Sequence, residues 1–467
     1  MGETRIPPAA LAALDKLLGD RLKTDPADRW TYGYDNSKRQ AMPDAVAYPA
    51  SEDEVCAIVR LCNEHRIPLT GRGLGSGTAG AAVPVTGGIV LAMERMNRII
   101  SINPEDRYAV VQPGVTNADL QAAAAEHGFF WPPDPTSSAY ATIGGNLACN
   151  SAGPRAVKYG TPRDNTLGLN AVTGDGQLLR TGVRTTKGVV GYDLTRLLIG
   201  SEGTLGIITE ATLKLTPLQP AKHTLRAVYA DMTAGAAAVS RIMAQPVTPC
   251  ALEFIDSTAI EMIRQYAETD LPEGAGAMLL IEVDGDEDFL DAATERVAAA
   301  ARGEGERDGL VELERAASKE ETRALWAARK ALSPALRKVA PKKINEDVVV
   351  PVSRMAELIG GLQEISGRYG ITIVNFGHAG NGNIHVNLLA DPDNTEQMRV
   401  INDCLAEVFD LVLELDGTLS GEHGIGFDKK DFVALELEPA TLEMLRRVKQ
   451  QFDPNNILNP GKLFPAS

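Results

Sequence analysis

The sequence predicts an α+β protein of two domains, and three observations carry that expectation. At 467 residues the chain exceeds what one hydrophobic core usually serves. Its first half mixes short strand and helix patterns with three glycine-rich turns, whereas the stretch from residue 220 onward alternates strand and helix patterns at regular spacing. With 44% hydrophobic and 23% charged residues, the composition is that of a globular protein able to bury a core.

Charge and cysteine usage narrow the function classes. A net charge of −16 argues against nucleic acid and anionic membrane surfaces as partners. No apolar run approaches the length of a membrane span, and residues 1–20 read as a capped amphipathic helix rather than a signal peptide. Ile6 stands where myristoylation wants Ser or Thr, so the cytoplasm is the expected compartment. The five cysteines (Cys56, Cys62, Cys149, Cys250 and Cys404) form no C-x-x-C pair, so neither an iron–sulfur cluster nor a c-type haem is indicated.

Taken in order, residues 51–66 read as a helix with a Ser51/Glu54 capping box and Val55, Ile58, Val59 and Cys62 on one face. A strand over 67–70 follows and feeds PLTGRGLGSGTAG, residues 68–80. There Gly71, Gly73, Gly75 and Gly77 alternate with Arg72 and Ser76, a glycine density that lets backbone N–H groups crowd a pyrophosphate. Gly75, Gly77 and Gly80 spell G-x-G-x-x-G, but Pro84, Thr86, Gly87 and Gly88 follow instead of a helix, and no Walker lysine is present. Both the Rossmann and P-loop readings therefore fail. Residues 116–127 read as a helix and 168–181 as a hairpin about Thr173 to Gly176.

Two further stretches sharpen the cradle. WPPDPTSSAYATIGGNLACNSAG, residues 131–153, has an extended proline path and then a small-residue turn at Thr142, Gly144, Gly145 and Asn146. GSEGTLGIITE, residues 200–210, is a glycine-bracketed turn entering a strand. Together the three motifs resemble the FAD-binding domain of the vanillyl-alcohol oxidase/PCMH flavoprotein family over residues 40–218. The resemblance implies a PCMH-type fold and FAD contacts at Arg72, Gly73, Gly75, Ser76, Gly77, Pro135, Thr142, Gly144, Gly145, Asn146, Glu202, Gly203 and Ile207. The glycine loop holds no histidine, so a non-covalent flavin is expected there.

In the second half, strands are expected near 224–230, 250–255, 277–284, 309–314, 344–351 and 371–377. Helices are expected at 232–244, 256–267, 286–302, 317–338 and 353–369. Such alternation fits a ferredoxin-like α+β domain with an antiparallel sheet and helices on one face. The domain limits drawn are 1–219, 220–424 and a C-terminal helical segment, 425–467, returning to the first domain. NFGHAGNGNIHVNLL, residues 375–389, ends one strand at His378 and places His385 and Asn387 on one face of the next. SGEHGIG, residues 420–426, sets Glu422 and His423 between glycines. Two histidines and a carboxylate suit Zn²⁺ or Mn²⁺ with open positions for substrate. Any one of these histidines alone would read as a hydrogen-bonded turn residue, but the two glycine-framed clusters together favour ligands. Neither stretch is HExxH, so a zincin protease is not supported.

His378, His385, Glu422 and the downstream Asn459 to Lys462 (NPGK) resemble the C-terminal domain of the FAD-linked D-2-hydroxy-acid dehydrogenases over residues 220–467. That group contains D-lactate dehydrogenase, D-2-hydroxyglutarate dehydrogenase and the glycolate oxidase catalytic subunit. The resemblance implies a divalent metal held by His378, His385 and Glu422. It also implies substrate contacts at Asn387, His423, Arg329 and Ser333. Arg329 would grip the substrate carboxylate, the metal would lower the hydroxyl pKa, and His423 would remove its proton as hydride leaves for FAD N5. Arg329 read by spacing alone is equally a helix-surface charge beside Arg323 and Lys330. Relatives acting on hydroxyglutarate place a lysine just before the aspartate matching Asp347. Here Asn345 stands at that spot, with Lys342 and Lys343 slightly upstream, which favours D-lactate oxidation to pyruvate. D-2-hydroxyglutarate and glycolate are the alternatives. Electrons would leave to an external quinone, cytochrome or electron-transferring flavoprotein, and a homodimer is the assembly carried forward, although the sequence leaves the oligomeric state open. A metal-dependent hydrolase without flavin, which would be colourless, and a non-catalytic flavoprotein subunit, which would not need the metal residues, are the competing classes.

Overall fold

A computed structural model of the chain describes residues 6–266, 272–339 and 342–465. Contacts divide it into two units. The first comprises Met1–Ala152, Gly160–Leu218 and Glu422–Ser467, and the second Gly153–Tyr159 and Gln219–Gly421. The α+β class expected from the sequence is the class observed.

In the first unit the helix Glu52–His65 starts at Ser51, whose side chain accepts from Glu54 N–H, and ends at Arg66 in left-handed backbone. Its apolar stripe puts Val55, Ile58, Val59 and Cys62 wholly inside. Each of the three aliphatic side chains contributes about 1.5–3 kcal/mol by leaving water. They pack on a four-stranded sheet of Leu22–Lys23, Ala45–Ala47, Ile89–Ala92 and Leu69–Arg72, in that order. The last strand pairs in parallel with Ile89–Ala92, so Gly71 and Arg72 belong to its ladder. The strand thus begins and ends two residues later than the sequence suggests, because register with its neighbour overrides local pattern. A five-stranded antiparallel sheet follows, ordered Ile99–Asn103, Tyr108–Val111, Ile207–Lys214, Thr166–Val172 and Leu178–Gly182. A core around Trp131, Leu120, Ile143 and Leu213 packs beneath it.

The supposed turn at Thr142 to Asn146 is instead the start of a helix, Ile143–Cys149. Thr142 is its N-cap, accepting from Gly145 N–H at 3.3 Å, so the small residues serve a capped helix start rather than a loop.

The second unit is one seven-stranded antiparallel sheet. Its order is Leu310–Arg315, Ala221–Tyr229, Ala277–Gly285, Ala251–Asp256, Thr372–Gly377, Asn383–Ala390 and Lys342–Val349. Helices cover both faces, not the single face expected. Gly235 of the helix Met232–Ala244 approaches Phe254 and Tyr229 on one side. On the other, Ile260 and Ile263 of Ser257–Tyr266, with Leu332 and Leu336 of Lys319–Val339, pack on Val228, Ile255, Met278 and Phe376. The central strand Ala251–Asp256 is therefore buried at every residue. Strands buried on both sides lose polar–apolar alternation, so the sequence pattern does not reveal the second layer of helices.

Candidate active site

In the first unit the three glycine motifs converge. A Cβ on Gly73 would lie 2.2 Å from Thr142 Oγ1, and one on Gly71 would lie 3.1 Å from Ile207 Cδ1. The third motif is tied to the second by Gly200 N–H to Leu147 O at 2.9 Å and Glu202 N–H to Ala148 O at 2.8 Å. Gly75 has φ +72°, and its Cβ would strike Arg72 Nη2 at 2.1 Å. Gly77 passes its carbonyl to Asn36 N–H, and a Gly144 Cβ would meet Pro113 at 2.7 Å. At Gly73, Gly75 and Gly144 a side-chain carbon would clash, as a close backbone cradle requires. Gly203 is again in left-handed backbone, and Ser76 and Gly145 are half-buried beside the cradle. Pro135 is buried and accepts from Ser138 N–H.

Three expected cofactor contacts are engaged with protein groups. Arg72 is buried and donates to the carbonyls of Tyr34 at 2.7 Å and Thr31 at 3.5 Å. Asn146 donates to Ser151 Oγ and accepts from Asn117. Glu202 turns its carboxylate to the backbone of Ile425 and Gly426.

These cradles fit an FAD pyrophosphate, and they are sensitive to one methyl group. Gly73→Ala should push Thr142 off its capping position and weaken FAD binding by 10- to 100-fold, roughly 1–3 kcal/mol of overpacking, as read by fluorescence titration of the apoprotein. Unchanged affinity would show that Gly73 does not line the cradle.

In the second unit the register places Asp347 opposite His385 and Asn345 opposite Asn387. Val374 and Phe376 lie opposite Asn387 and His385 on the other side. All share the face covered by the helix Lys319–Val339. His378 follows the strand Thr372–Gly377, and its ring stands 5.2 Å from that of His385, nearly perpendicular. Asp347, wholly buried, accepts from Ser420 Oγ at 3.1 Å and from Gly421 N–H at 2.9 Å. It thereby anchors the backbone to which Glu422 is directly bonded. His378, His385 and Glu422 offer ligand atoms that all lie within 4.8 Å of one another. Two imidazoles and one carboxylate at this spacing form a donor set fit for a divalent transition metal.

One residue of this site was not foreseen. Glu253 is 1% exposed and accepts from His378 Nδ1 at 2.6 Å. It also accepts from Arg329 Nε at 2.8 Å and pairs with Nη2 at 2.7 Å. Burial opposes its charge, but His378 and then Arg329 more than offset this and hold the carboxyl well below the usual range. With the carboxylate ionised, its hydrogen bond keeps the proton on His378 Nδ1 and leaves Nε2 as the nitrogen that could serve a metal. The available signal was a glutamate inside an apolar strand, ALEFI, since an ionised group rarely sits there unpaired.

Arg329 is itself buried, with its guanidinium 4.7 Å over the Phe376 ring. Nε and Nη2 are on Glu253, and among the described residues no hydrogen bond is recorded for Nη1. Asn387 donates to Val374 O and His385 O, both at 3.0 Å, while its fully buried Oδ1 has no partner among the described residues. The side chain of Ser333 lies outside the described residues. His423 is half-buried on the first unit's return segment.

Glycine cradles of this kind, together with a cluster of two histidines and a carboxylate, define a flavoprotein oxidoreductase. The chain belongs to the FAD-linked oxidase family: the model described as "FAD linked oxidases, C-terminal domain" matches residues 218–463, and the "FAD binding domain" model matches residues 43–182. It is 42% identical to the glycolate oxidase subunit GlcD of Bacillus subtilis (strain 168), covering 94% of this chain and 93% of that one. It is 35% identical to the D-lactate dehydrogenase of Anaerostipes hadrus, covering 96% and 94%. A D-2-hydroxyglutarate dehydrogenase of Stutzerimonas stutzeri (strain A1501) is 34% identical, with 96% of each chain covered. Among solved structures, p-cresol methylhydroxylase with substrate bound superposes with a TM-score of 0.80 at 20% identity over 98% of both chains, a likeness of fold. Family membership overturns the hydrolase-without-flavin alternative. No described helix is long and apolar enough to cross a membrane.

Proposed function

We propose that the protein oxidises a D-2-hydroxy acid to the 2-oxo acid, with D-lactate to pyruvate as the favoured reaction. The observation that carries this reading is the cluster of His378, His385 and Glu422, with Glu253 orienting His378. When bound, non-covalent FAD supplies a two-electron acceptor and a divalent Zn or Mn ion supplies a Lewis acid beside the substrate hydroxyl. His378, His385 and Glu422 would hold the metal. Arg329, locked by Glu253, presents Nη1 to the substrate carboxylate. The unpartnered Asn387 Oδ1, on an amide fixed by its two backbone bonds, is a polar contact for the bound substrate. The His423 imidazole takes the hydroxyl proton, and the C2–H leaves with its electron pair. The electrons pass on to an external acceptor, for which quinone, cytochrome and electron-transferring flavoprotein are the candidates.

One observation favours a dicarboxylate instead. By register Lys343 shares the face of Asn345 and Asp347, one residue pair beyond Asn387, whereas Lys342 points to the other face. A lysine there suits the second carboxylate of D-2-hydroxyglutarate. Among the described residues no cysteine is in a disulfide, and Cys56, Cys62, Cys250 and Cys404 are buried, which suits the cytoplasmic location proposed here.

The test is the visible spectrum of the purified protein under anaerobic conditions, with D-lactate, D-2-hydroxyglutarate and glycolate added to separate samples and the L-isomers as controls. Bleaching of the flavin bands by D-lactate alone is the expected result. Bleaching by D-2-hydroxyglutarate alone would shift the assignment to the dicarboxylate, and bleaching by none of the three would overturn the hydroxy-acid reading.

A further inference from the structure

We propose that Glu202 is a positioning residue for His423: its carboxylate clamps the backbone that follows the histidine and so sets where the imidazole stands. The inference rests on the reading of His423 as the base. Glu202 belongs to the turn of the third glycine motif, yet its side chain is only 5% exposed and its backbone is left-handed, φ 52°. A non-glycine residue held there needs a compensating role for its side chain. Oε1 accepts from Ile425 N–H at 2.6 Å and Oε2 from Gly426 N–H at 2.7 Å. Hydrogen bonds to a buried carboxylate are the strong kind. Gly424, between His423 and this clamp, has φ +82°, and a Cβ on it would lie 2.6 Å from Glu202 Oε1. The chain thus wraps the carboxylate as closely as glycine allows.

Glu202 is fixed in turn. Its N–H donates to Ala148 O at 2.8 Å, and its carbonyl accepts from Asn459 Nδ2 at 2.7 Å. Asn459 also reaches Ala81 O at 3.0 Å, as does Lys462 Nζ. The NPGK motif therefore ties the Glu202 turn to the end of the first glycine loop, and Glu202 ties both to the residues after His423. A misplacement of about 1 Å at a reacting group is enough to slow a reaction by about 10²-fold.

In Glu202→Gln one oxygen becomes an amide N–H₂ facing a backbone N–H, so one clamp bond is replaced by two opposed donors. The FAD-loaded variant should reduce its flavin about 10²-fold more slowly in anaerobic rapid mixing with substrate, with little change in the substrate concentration for half-maximal rate. Its flavin-to-protein ratio should match the wild type, and amide hydrogen exchange at Ile425 and Gly426 should accelerate. Gly424→Ala presses the same loop from the other side and should show the same slowing. The double variant should lose less than the sum of the two. A wild-type reduction rate in loaded Glu202→Gln, or a deficit fully explained by lost FAD, overturns the inference. His423→Gln run in parallel separates the two readings. A slow His423→Gln with a fast Glu202→Gln sinks the positioning role alone, whereas a fast His423→Gln sinks the base assignment and this inference with it.

Discussion

Replacing His378 with alanine is expected to lower turnover by roughly 10³-fold or more while the protein keeps its yellow flavin. The magnitude follows from the proposed role of His378: it would be one of three ligands to a Lewis acid that supplies several kcal/mol, at 1.36 kcal/mol per tenfold. Retention of flavin follows from topology. The glycine cradles belong to the first unit, whereas His378 ends a strand of the second unit's sheet. The measurements are the ratio of visible to ultraviolet absorbance, elemental analysis for metal, and steady-state rates. Full activity would remove His378 from the site, and lost flavin with intact fold would show that it serves the cofactor instead.

Removing Glu253 should act on stability as well as on rate. Glu253→Ala strips the partner from two buried groups at once, Arg329, which is 6% exposed, and His378, which is 5% exposed. Breaking a buried ion pair from one side costs about 3–5 kcal/mol, because the remaining charge stays desolvated. For a unit of this size that corresponds to a fall in unfolding temperature of roughly 10 °C, measured by calorimetry. Glu253→Gln separates orientation from charge. Its amide N–H₂ facing His378 Nδ1 favours the tautomer with the proton on Nε2, and metal affinity should drop by about 10- to 100-fold, read by competition with a chelator. An unchanged unfolding temperature in Glu253→Ala would show that the Arg329 pair is dispensable, and unchanged metal affinity in Glu253→Gln would show that His378 does not ligate through Nε2.

Local chemistry made much of this protein legible in its sequence. The helix after Ser51 announces itself by its cap and apolar stripe, because both depend on residues within four positions of each other. The glycine loops announce themselves because positive φ and close approach exclude side chains at the residues concerned. His385 and Asn387 share a face because strand side chains alternate. Tertiary structure alone decided the rest. Glu253 lies 125 positions from His378 and 76 from Arg329, and no periodicity links them. Glu202 lies 223 positions from Ile425, and its turn reads from sequence as a cofactor loop rather than as a clamp. The burial of both sheet faces, likewise, depends on which helices return to cover them. Sequence thus determined the pieces whose physics is local, and folding decided which buried charges meet, since a desolvated carboxylate persists only where distant chain segments bring it donors.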